Sequence, residues 1–359
     1  MSPGSLIALA ATFGVTLICV LLLRRAAPAL GLLDLPDDRK RHDGAIPAIG
    51  GVAMFAAMAV IGLLLEPPSR GKLGFGLAAF FVVAVGVLDD RHRLRWRVRM
   101  AAQTAAALIL IHVSGWRVED LGTVAGEPFH HLGWLSDPLS VIAVVGVINA
   151  VNWFDGMDGL AGAVSLASLS LMAIRAVAIG NVGLASDLFV VIGAVAAFLV
   201  FNLRGPWRAR ASVFMGNAGA ELLGLTIAAA AFRLTQDPAY VVAPKFAPFV
   251  LAPPLIDCLV LAGKRMLKRQ SPFHADRDHI QYLMLDAGFT PVGVTIILAS
   301  ATLALGALAW IGVDVGFPGW AFTLTFIGLC LAYFLATRTR ERGVSVLRQL
   351  RALVVPRSA

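Results

Sequence analysis

The chain has 359 residues, of which 58% are hydrophobic and only 14% are charged. A soluble domain carries about a quarter charged residues, and the mean hydropathy here is +0.80, so the composition excludes a soluble globular protein. The apolar segments are about 16 to 22 residues long. That length fits helices crossing a core of about 30 Å and excludes the short alternating strands of an outer-membrane barrel.

The basic residues indicate how the chain lies in the membrane. We read eleven candidate spans, at about residues 5–23, 48–65, 73–88, 100–115, 138–154, 160–180, 186–202, 214–234, 244–262, 291–311 and 317–336. With the N-terminus outside, most of the 30 Lys and Arg residues fall in cytoplasmic segments, as the positive-inside rule requires. The net charge of +8 is therefore a topology signal, and we expect no nucleic-acid partner.

These features predict an all-α, polytopic membrane helix bundle of about eleven transmembrane helices. The N-terminus is expected in the periplasm and the C-terminus in the cytoplasm. Residues 1–336 are predicted to form one membrane-embedded domain whose active site lies at the cytoplasmic face. Residues 337–359 are predicted to form a basic cytoplasmic tail.

Two pairs of acids end apolar runs on the predicted cytoplasmic side. Asp155 and Asp158 continue a step of three that begins at Asn149 and Asn152, so on a continuing helix all four share a face. The glycine after each acid also allows a break. Acids at membrane depth are usually functional because an unpaired charge there is expensive, although a buried polar network that joins helices is the structural alternative.

Asp89 and Asp90 end the third span, where acids oppose the helix dipole. A solvated acidic turn paired with the following arginines is the alternative interpretation. Acids, histidines and arginines on one membrane face suggest a site for a metal and a phosphate-bearing substrate. Mg²⁺ suits hard oxygen ligands better than Zn²⁺ does, and His274 and His279 lack the i, i+4 spacing of a helical zinc motif.

Five segments between about residues 31 and 290 carry a resemblance. They are residues 34–42 (DLPDDRKRH) with Gly50 and Gly51, residues 88–91 (LDDR) with Arg97 and Gln103, residues 149–160 (NAVNWFDGMDGL), residues 214–216 (FMG) and residues 271–279 (SPFHADRDH). In this order they resemble the polyprenyl-phosphate N-acetylhexosamine-1-phosphate transferase family, glycosyltransferase family 4. The similarity is greatest to bacterial members that use undecaprenyl phosphate and N-acetylglucosamine.

The resemblance implies a reaction and a location. A phosphate oxygen of undecaprenyl phosphate attacks the sugar-linked phosphorus of a UDP-N-acetylhexosamine, most simply the N-acetylglucosamine compound, and UMP leaves. The lipid product would start synthesis of a surface polysaccharide of the O-antigen type. The expected location is the bacterial inner membrane, with the lipid bilayer as a partner, Mg²⁺ as cofactor and Mn²⁺ as the alternative ion.

The resemblance also implies roles for individual residues. The acids expected in catalysis are Asp89, Asp90, Asp155 and Asp158. The residues expected to bind substrate are Asn152, Arg97, Arg277, His279, Lys40 and His42. The residues expected at the metal are Asp158, Asn217 and Asp90.

Two positions depart from the family pattern. Asn217 stands where the family usually has an aspartate, which keeps an oxygen ligand but removes a full negative charge. Gln281 and Tyr282 stand where the family has two histidines, so one histidine of three remains. We expect either an active enzyme with altered metal or sugar preference, or one with poor turnover.

Several other functions stay open. A sister transferase would use UDP-N-acetylgalactosamine, a deoxy-sugar nucleotide or UDP-MurNAc-pentapeptide. An inactive lipid-binding relative is a second alternative. An ion-coupled transporter is a third, although transporters tend to place their acids near the bilayer midplane in repeated halves. The sequence leaves the oligomeric state open, with a homodimer as one option.

Overall fold

The structure, a computed structural model, describes residues 3–35, 44–65, 69–124, 127–206, 208–239, 242–273 and 276–354. Its α-helices are α1 (Pro3–Leu30), α2 (Gly50–Leu65), α3 (Arg70–His92), α4 (Trp96–Ile109), α5 (Ser136–Phe154), α6 (Leu160–Ala178), α7 (Val182–Asn202), α8 (Gly216–Thr235), α9 (Ala252–Leu267), α10 (Ile280–Asp286), α11 (Pro291–Asp314), α12 (Gly319–Ala336) and α13 (Arg340–Val354). A π-helical turn (Leu110–Ser114) extends α4, and a 3-10 helix (Pro244–Leu251) leads into α9.

The strands form two small antiparallel ribbons outside the helical bundle. β1 (Leu33–Asp34) pairs with β2 (Ile46–Pro47), and β3 (Asp120–Val124) pairs with β4 (Glu127–His130). The first ribbon precedes α2 and the second lies between α4 and α5. Sheet structure therefore only shapes the connections between helices.

Nine helical segments in the described part of the chain are long and apolar enough to cross a membrane. Each of the eleven predicted spans contains a helix. Two of these helices are too short to be among the nine. They are α2, with 16 residues, and α4, with 14 residues that include Arg97, Arg99 and Gln103. The prediction of an all-α, polytopic membrane bundle is confirmed. The number of crossings and the orientation stay predictions.

Helix α8 lies at the centre of the bundle. In an 18-residue stretch of α8, 89% of the residues are buried inside the protein, whereas the figure for a stretch of the same length in α12 is 11%. Small residues let neighbouring backbones approach α8 closely. A Cβ on Gly51 of α2 would lie closer than 3.0 Å to Gly219, and one on Gly86 of α3 would lie as close to Ala218. The start of α8 is therefore held at a short distance from both helices.

Hydrogen bonds tie the segment before α8 to the start of α2. Gly50 N donates to Phe214 O at 3.0 Å, and Gly51 N donates to Met215 O at 2.9 Å. Gly216 then has φ +72°, a left-handed conformation that glycine adopts without strain, and the chain turns there into α8. These contacts fix the direction in which the first backbone amides of α8 point.

The opposite end of the bundle is joined by ion pairs. Arg233 of α8 contacts Asp187 of α7 at 2.6 Å, and Lys72 of α3 contacts the same carboxylate at 3.0 Å. Arg175 of α6, which is buried, pairs with Asp314 of α11 at 2.7 Å. Each of these three cations thus has an acidic partner on another helix, which lowers the cost of burying its charge.

The segment predicted as a basic tail contains a helix that packs back onto the protein. Helix α13 begins four residues after α12 ends. Val344 and Leu347 of α13 pack against Leu283 and Ala287 of the α10 segment. Part of the tail therefore contacts the polypeptide that carries the last family segment.

We expect Gly86→Ala to destabilise the protein, because the added methyl group must push α3 away from α8. Overpacking of this kind costs about 1–3 kcal/mol. Gly76→Ala in the same helix is the matched control, since its Cβ would meet no described atom within 4 Å and alanine is the better helix former. Thermal unfolding of the purified variants measures both effects. Equal shifts in Tm would contradict the proposed α3–α8 packing.

Candidate functional site

Asp90 of α3 lies at the N-terminus of α8. Its Oδ1 accepts a hydrogen bond from Asn217 N at 2.8 Å, and its Oδ2 lies 3.4 Å from Ala218 N. The Asn217 side chain also faces Asn152 of α5, whose Nδ2 donates to Asn217 Oδ1 at 3.0 Å. Three predicted site residues from three helices thus meet at one point. The partial positive charge of a helix N-terminus favours anions there.

Asp89 points in a different direction from its neighbour in the chain. It is 4% exposed, and its Oδ1 accepts a hydrogen bond from Leu94 N at 2.7 Å. Arg99 contacts Asp89 Oδ2 at 3.4 Å, whereas the predicted cation Arg97 is exposed and lies 5.5 Å from the ring of Trp96. Asp89 therefore stabilises the turn between α3 and α4, and Arg99 rather than Arg97 is its cationic partner.

The predicted face of two asparagines and two acids is interrupted. Helix α5 ends at Phe154, and Asp155 is its C-terminal cap residue. The glycine-rich segment after Asp155 takes the break that its sequence allows, and Gly159 has φ +81°. Asn149 and Asn152 thus share a helical face, while the two acids lie in the loop that follows.

Asp158 faces the connection between α7 and α8. Its Oδ2 accepts hydrogen bonds from Arg204 Nε at 2.7 Å and from Ala211 N at 3.0 Å, and its side chain is 11% exposed. The loop carrying the acid is fixed separately, because Gly159 N donates to Asn202 Oδ1 at 2.8 Å. Asp158 therefore has its own set of partners, distinct from those of Asp90.

The chemistry of the Asp90 cluster fits Mg²⁺ better than Zn²⁺. Among the described residues, no three His, Cys, Asp or Glu side chains lie together as a potential metal site. The cluster offers one carboxylate, from Asp90, and the amide groups of Asn152 and Asn217. Mg²⁺ is usually held by one or two carboxylates together with substrate phosphates. The residues thus fit an ion whose other ligands come from substrate and water.

A buried polar chain lies behind this cluster. Asn149 Nδ2 donates to Gln103 Oε1 at 2.6 Å, and Gln103 Nε2 donates to Glu221 Oε1 at 2.8 Å. Glu221 is 2% exposed and follows Asn217 by four residues, so both lie on the same side of α8. Asn149 and Gln103 belong to the family segments, whereas Glu221 lies outside them; an acid in an apolar helix is nevertheless a visible signal.

The two residues that replace family histidines connect the 271–279 segment to the end of α5. Gln281 Nε2 donates to Trp153 O at 3.0 Å, and Tyr282 Oη donates to Gly156 O at 3.3 Å. The guanidinium of Arg277 lies 4.9 Å from the ring centre of Tyr282. Gln281 and Tyr282 therefore connect the end of the 271–279 segment to the 149–160 segment.

His279 is buried, with an acid at one ring nitrogen and a cation near the other. Its Nδ1 lies 2.6 Å from Asp257 Oδ2, and its Nε2 lies 3.4 Å from Arg265 Nη2.

Arg265 also contacts Asp276 in the loop before His279. Burial raises the pKa of Asp276, but hydrogen bonds from Arg265 Nε and from the Asp278 backbone outweigh this effect, so the pKa lies below its ordinary value. Asp257 and Arg265 were not predicted as site residues, although Asp257 is an acid inside an apolar run.

Helix α13 holds the same loop from the other side. The guanidinium of Arg340 donates to Arg277 O and contacts Asp278 Oδ1 at 3.1 Å and Asp286. Partial burial lowers the pKa of Arg340, but the carboxylates of Asp278 and Asp286 together outweigh it, so the pKa lies above its ordinary value. The end of the chain thus contributes to the order of the segment that carries Arg277 and His279.

Three residues named in the sequence analysis, Lys40, His42 and His274, lie outside the described residues.

A cavity of about 500 Å³ opens at the opposite end of the bundle, between Trp116, Arg117 and Arg233. Its arginines are paired with acids, Arg117 with Glu119 and Asp137 and Arg233 with Asp187. This cavity is separate from the site built by the family segments.

We expect Arg340→Ala to loosen the 276–286 segment. The loss of its partly exposed ion pairs should cost about 1 kcal/mol, or roughly fivefold faster local hydrogen exchange. Arg342→Ala is the matched control, because that side chain is exposed on the same helix. Hydrogen-exchange mass spectrometry of peptides from this segment measures the effect. Unchanged exchange in Arg340→Ala would show that Arg340 does not hold the loop.

The chain is similar to known transferases over most of its length. Residues 72–235 match the model of glycosyl transferase family 4. Proteins named undecaprenyl-phosphate alpha-N-acetylglucosaminyl 1-phosphate transferase are similar to it, including that of Salmonella typhi, with 32% identity over 93% of this chain and 90% of the relative. The Pasteurella multocida protein is 33% identical over 97% of both chains, and that of Escherichia coli K12 is 32% identical over 90% of this chain and 88% of the relative. The chain therefore belongs to glycosyl transferase family 4, the family that its motifs predict.

Proposed function

We propose that this protein transfers N-acetylglucosamine 1-phosphate from the UDP-sugar to undecaprenyl phosphate and releases UMP. We place the reaction at the cytoplasmic face of the bacterial inner membrane, where it would start a lipid-linked surface polysaccharide. The names of the relatives support the reaction. The observation that carries the proposal is the meeting of Asp90, Asn152 and Asn217, from three distant family segments, at the ends of membrane helices.

The transfer makes one bond and breaks one bond at phosphorus. An oxygen of the lipid phosphate bonds to the sugar-linked phosphorus, and the bond from that phosphorus to the oxygen of UMP breaks. A phosphomonoester is already largely anionic at neutral pH, with a second pKa of about 6, so a base needs to remove at most one proton. Catalysis then depends mainly on positioning and on neutralising phosphate charge.

The described residues divide these tasks between them. Asp90 and Asn217 would hold Mg²⁺ together with phosphate oxygens, and Asn152 orients the Asn217 amide. The ion would offset the negative charge of the phosphate being transferred and would help to orient that phosphate. We leave Asp158 out of this ligand set, because it faces Arg204 and Ala211 N rather than the Asp90 cluster. Arg277 is proposed to meet the anionic diphosphate of the donor. His279, whose ring nitrogens face Asp257 and Arg265, is proposed to support the same loop from behind.

A sister reaction with another UDP-sugar is the second candidate. The observation that favours it is the replacement of two family histidines by Gln281 and Tyr282, which contact the backbone of residues 153–156. Different side chains beside the donor segment suit a different sugar. The lipid acceptor and the phosphorus chemistry would be the same.

We expect the purified protein to form a lipid-linked product and UMP from undecaprenyl phosphate, Mg²⁺ and one member of a panel of radiolabelled UDP-sugars. Asp90→Asn should lower kcat by about 100-fold or more, the effect of losing one group that stabilises transition-state charge. Asp237→Asn, at the opposite end of the bundle, is the control and should leave the rate unchanged. A folded wild-type protein that transfers no sugar phosphate from any donor would contradict the proposed function.

We also expect Asn217→Asp to lower the Mg²⁺ concentration needed for half-maximal activity by about tenfold. The new carboxylate adds a full charge beside Asp90, and ligand charge sets much of the affinity of such sites. Asn181→Asp is the control, since Asn181 caps the N-terminus of α7, where aspartate serves equally well. An unchanged Mg²⁺ requirement in Asn217→Asp would place residue 217 away from the ion.

A further inference from the structure

Asp257 is a buried acid in an apolar helix, and three residues hydrogen-bond to its carboxylate. It is 2% exposed in α9. Its Oδ2 lies 2.6 Å from His279 Nδ1, while its Oδ1 accepts from Ile280 N at 2.9 Å and from Tyr333 Oη of α12 at 2.6 Å. A carboxylate at membrane depth is expensive unless it is fully bonded. Here two of its three bonds go to the start of α10, and the third goes to α12.

The neighbours of His279 determine which of its ring nitrogens carries the proton in the neutral form. Asp257 accepts at Nδ1, so Nδ1 carries the hydrogen. At the other nitrogen the partner is Arg265 Nη2, 3.4 Å away. A guanidinium has donors and no acceptor, so Nε2 must accept there. The ring plane is limited further by Trp153, which contacts it edge to face at 5.8 Å between centroids.

Arg265 carries this orientation into the 271–279 segment. Its Nε contacts Asp276 Oδ2 at 3.0 Å, and its Nη1 donates to Pro272 O at 2.6 Å. Its guanidinium also lies 5.0 Å from the ring centre of Trp153 at the end of α5. A continuous series of contacts therefore runs from Asp257 through His279 and Arg265 to the loop.

We propose that Asp257, supported by Tyr333, is a positioning residue that fixes the ring of His279 and, through Arg265, the loop that receives the sugar-nucleotide diphosphate. The inference rests on the proposed function, since it assigns the loop to the donor. Asp257 touches neither substrate in this assignment. It acts by holding His279 as the Nδ1–H tautomer with Nε2 turned towards Arg265.

Asp257→Asn tests the proposal because the amide cannot satisfy all the donors around it. An amide nitrogen facing His279 would need Nδ1 as its acceptor and would move the proton to Nε2, against Arg265. An amide nitrogen facing Ile280 N would place two donors together. We expect kcat/KM for the donor to fall by about 10- to 100-fold, the range seen when the orienting partner of a metal-binding histidine is removed.

A double-mutant cycle separates positioning from general structural support. In the His279→Gln background, Asp257→Asn should cost little further activity, because the ring it orients is already gone. Independent losses that multiply would overturn the proposal. Tyr333→Phe is the milder variant, which keeps the carboxylate and should cost less than about tenfold. Cys258→Ala, next to Asp257 on α9 but outside the network, is the control and should leave donor kinetics unchanged.

A spectroscopic measurement distinguishes failure of this inference from failure of the proposed function. In protein carrying nitrogen-15 histidine, the His279 signals are identified by their loss in His279→Gln. We expect the Nδ1–H tautomer in the wild type and a shift away from it in Asp257→Asn. An unchanged tautomer overturns the positioning role whether or not transfer occurs. An inactive wild type overturns the proposed function, and with it the assignment of the loop to the donor.

Discussion

The contact between the end of α3 and the start of α8 determines the rest of the site. Asp90 can accept hydrogen bonds from the first amides of α8 only because Gly86 and Ala218 let the two helices approach closely. The same approach places Asn217 beside Asn152 of α5. A charge that would be expensive alone in the membrane is thereby stabilised at a helix N-terminus. The geometry of the ends of α3, α5 and α8 thus follows from small residues in the bundle interior.

Much of the fold followed from local patterns in the sequence. Apolar length predicted the membrane helices, and the family segments predicted that Asp90, Asn152 and Asn217 belong to one site. The direction in which each side chain points did not follow. Asp89 and Asp90 are adjacent in sequence, yet a left-handed residue, Arg93, turns the chain so that Asp89 bonds to the α3–α4 turn.

Long-range partners were the hardest part to predict. Arg204 lies 46 residues from Asp158, and Tyr333 lies 76 residues from Asp257. No local periodicity connects such residues, because the helix packing that brings them together is decided by the whole bundle. The residues that depart from the family pattern also have hydrogen-bond partners far away in the sequence. Asn217 accepts a hydrogen bond from Asn152, and Tyr282 joins the start of α10 to the loop that carries Asp155.

We propose that an oxygen-ligated divalent cation binds between Asp90 and the start of α8. Electron paramagnetic resonance of Mn²⁺, added as a substitute for Mg²⁺ to the protein with undecaprenyl phosphate, would detect this binding. We expect a bound Mn²⁺ signal with coupling to lipid phosphorus in the wild type, and loss of that signal in Asp90→Ala. Bound Mn²⁺ of equal affinity and unchanged phosphorus coupling in Asp90→Ala would contradict it.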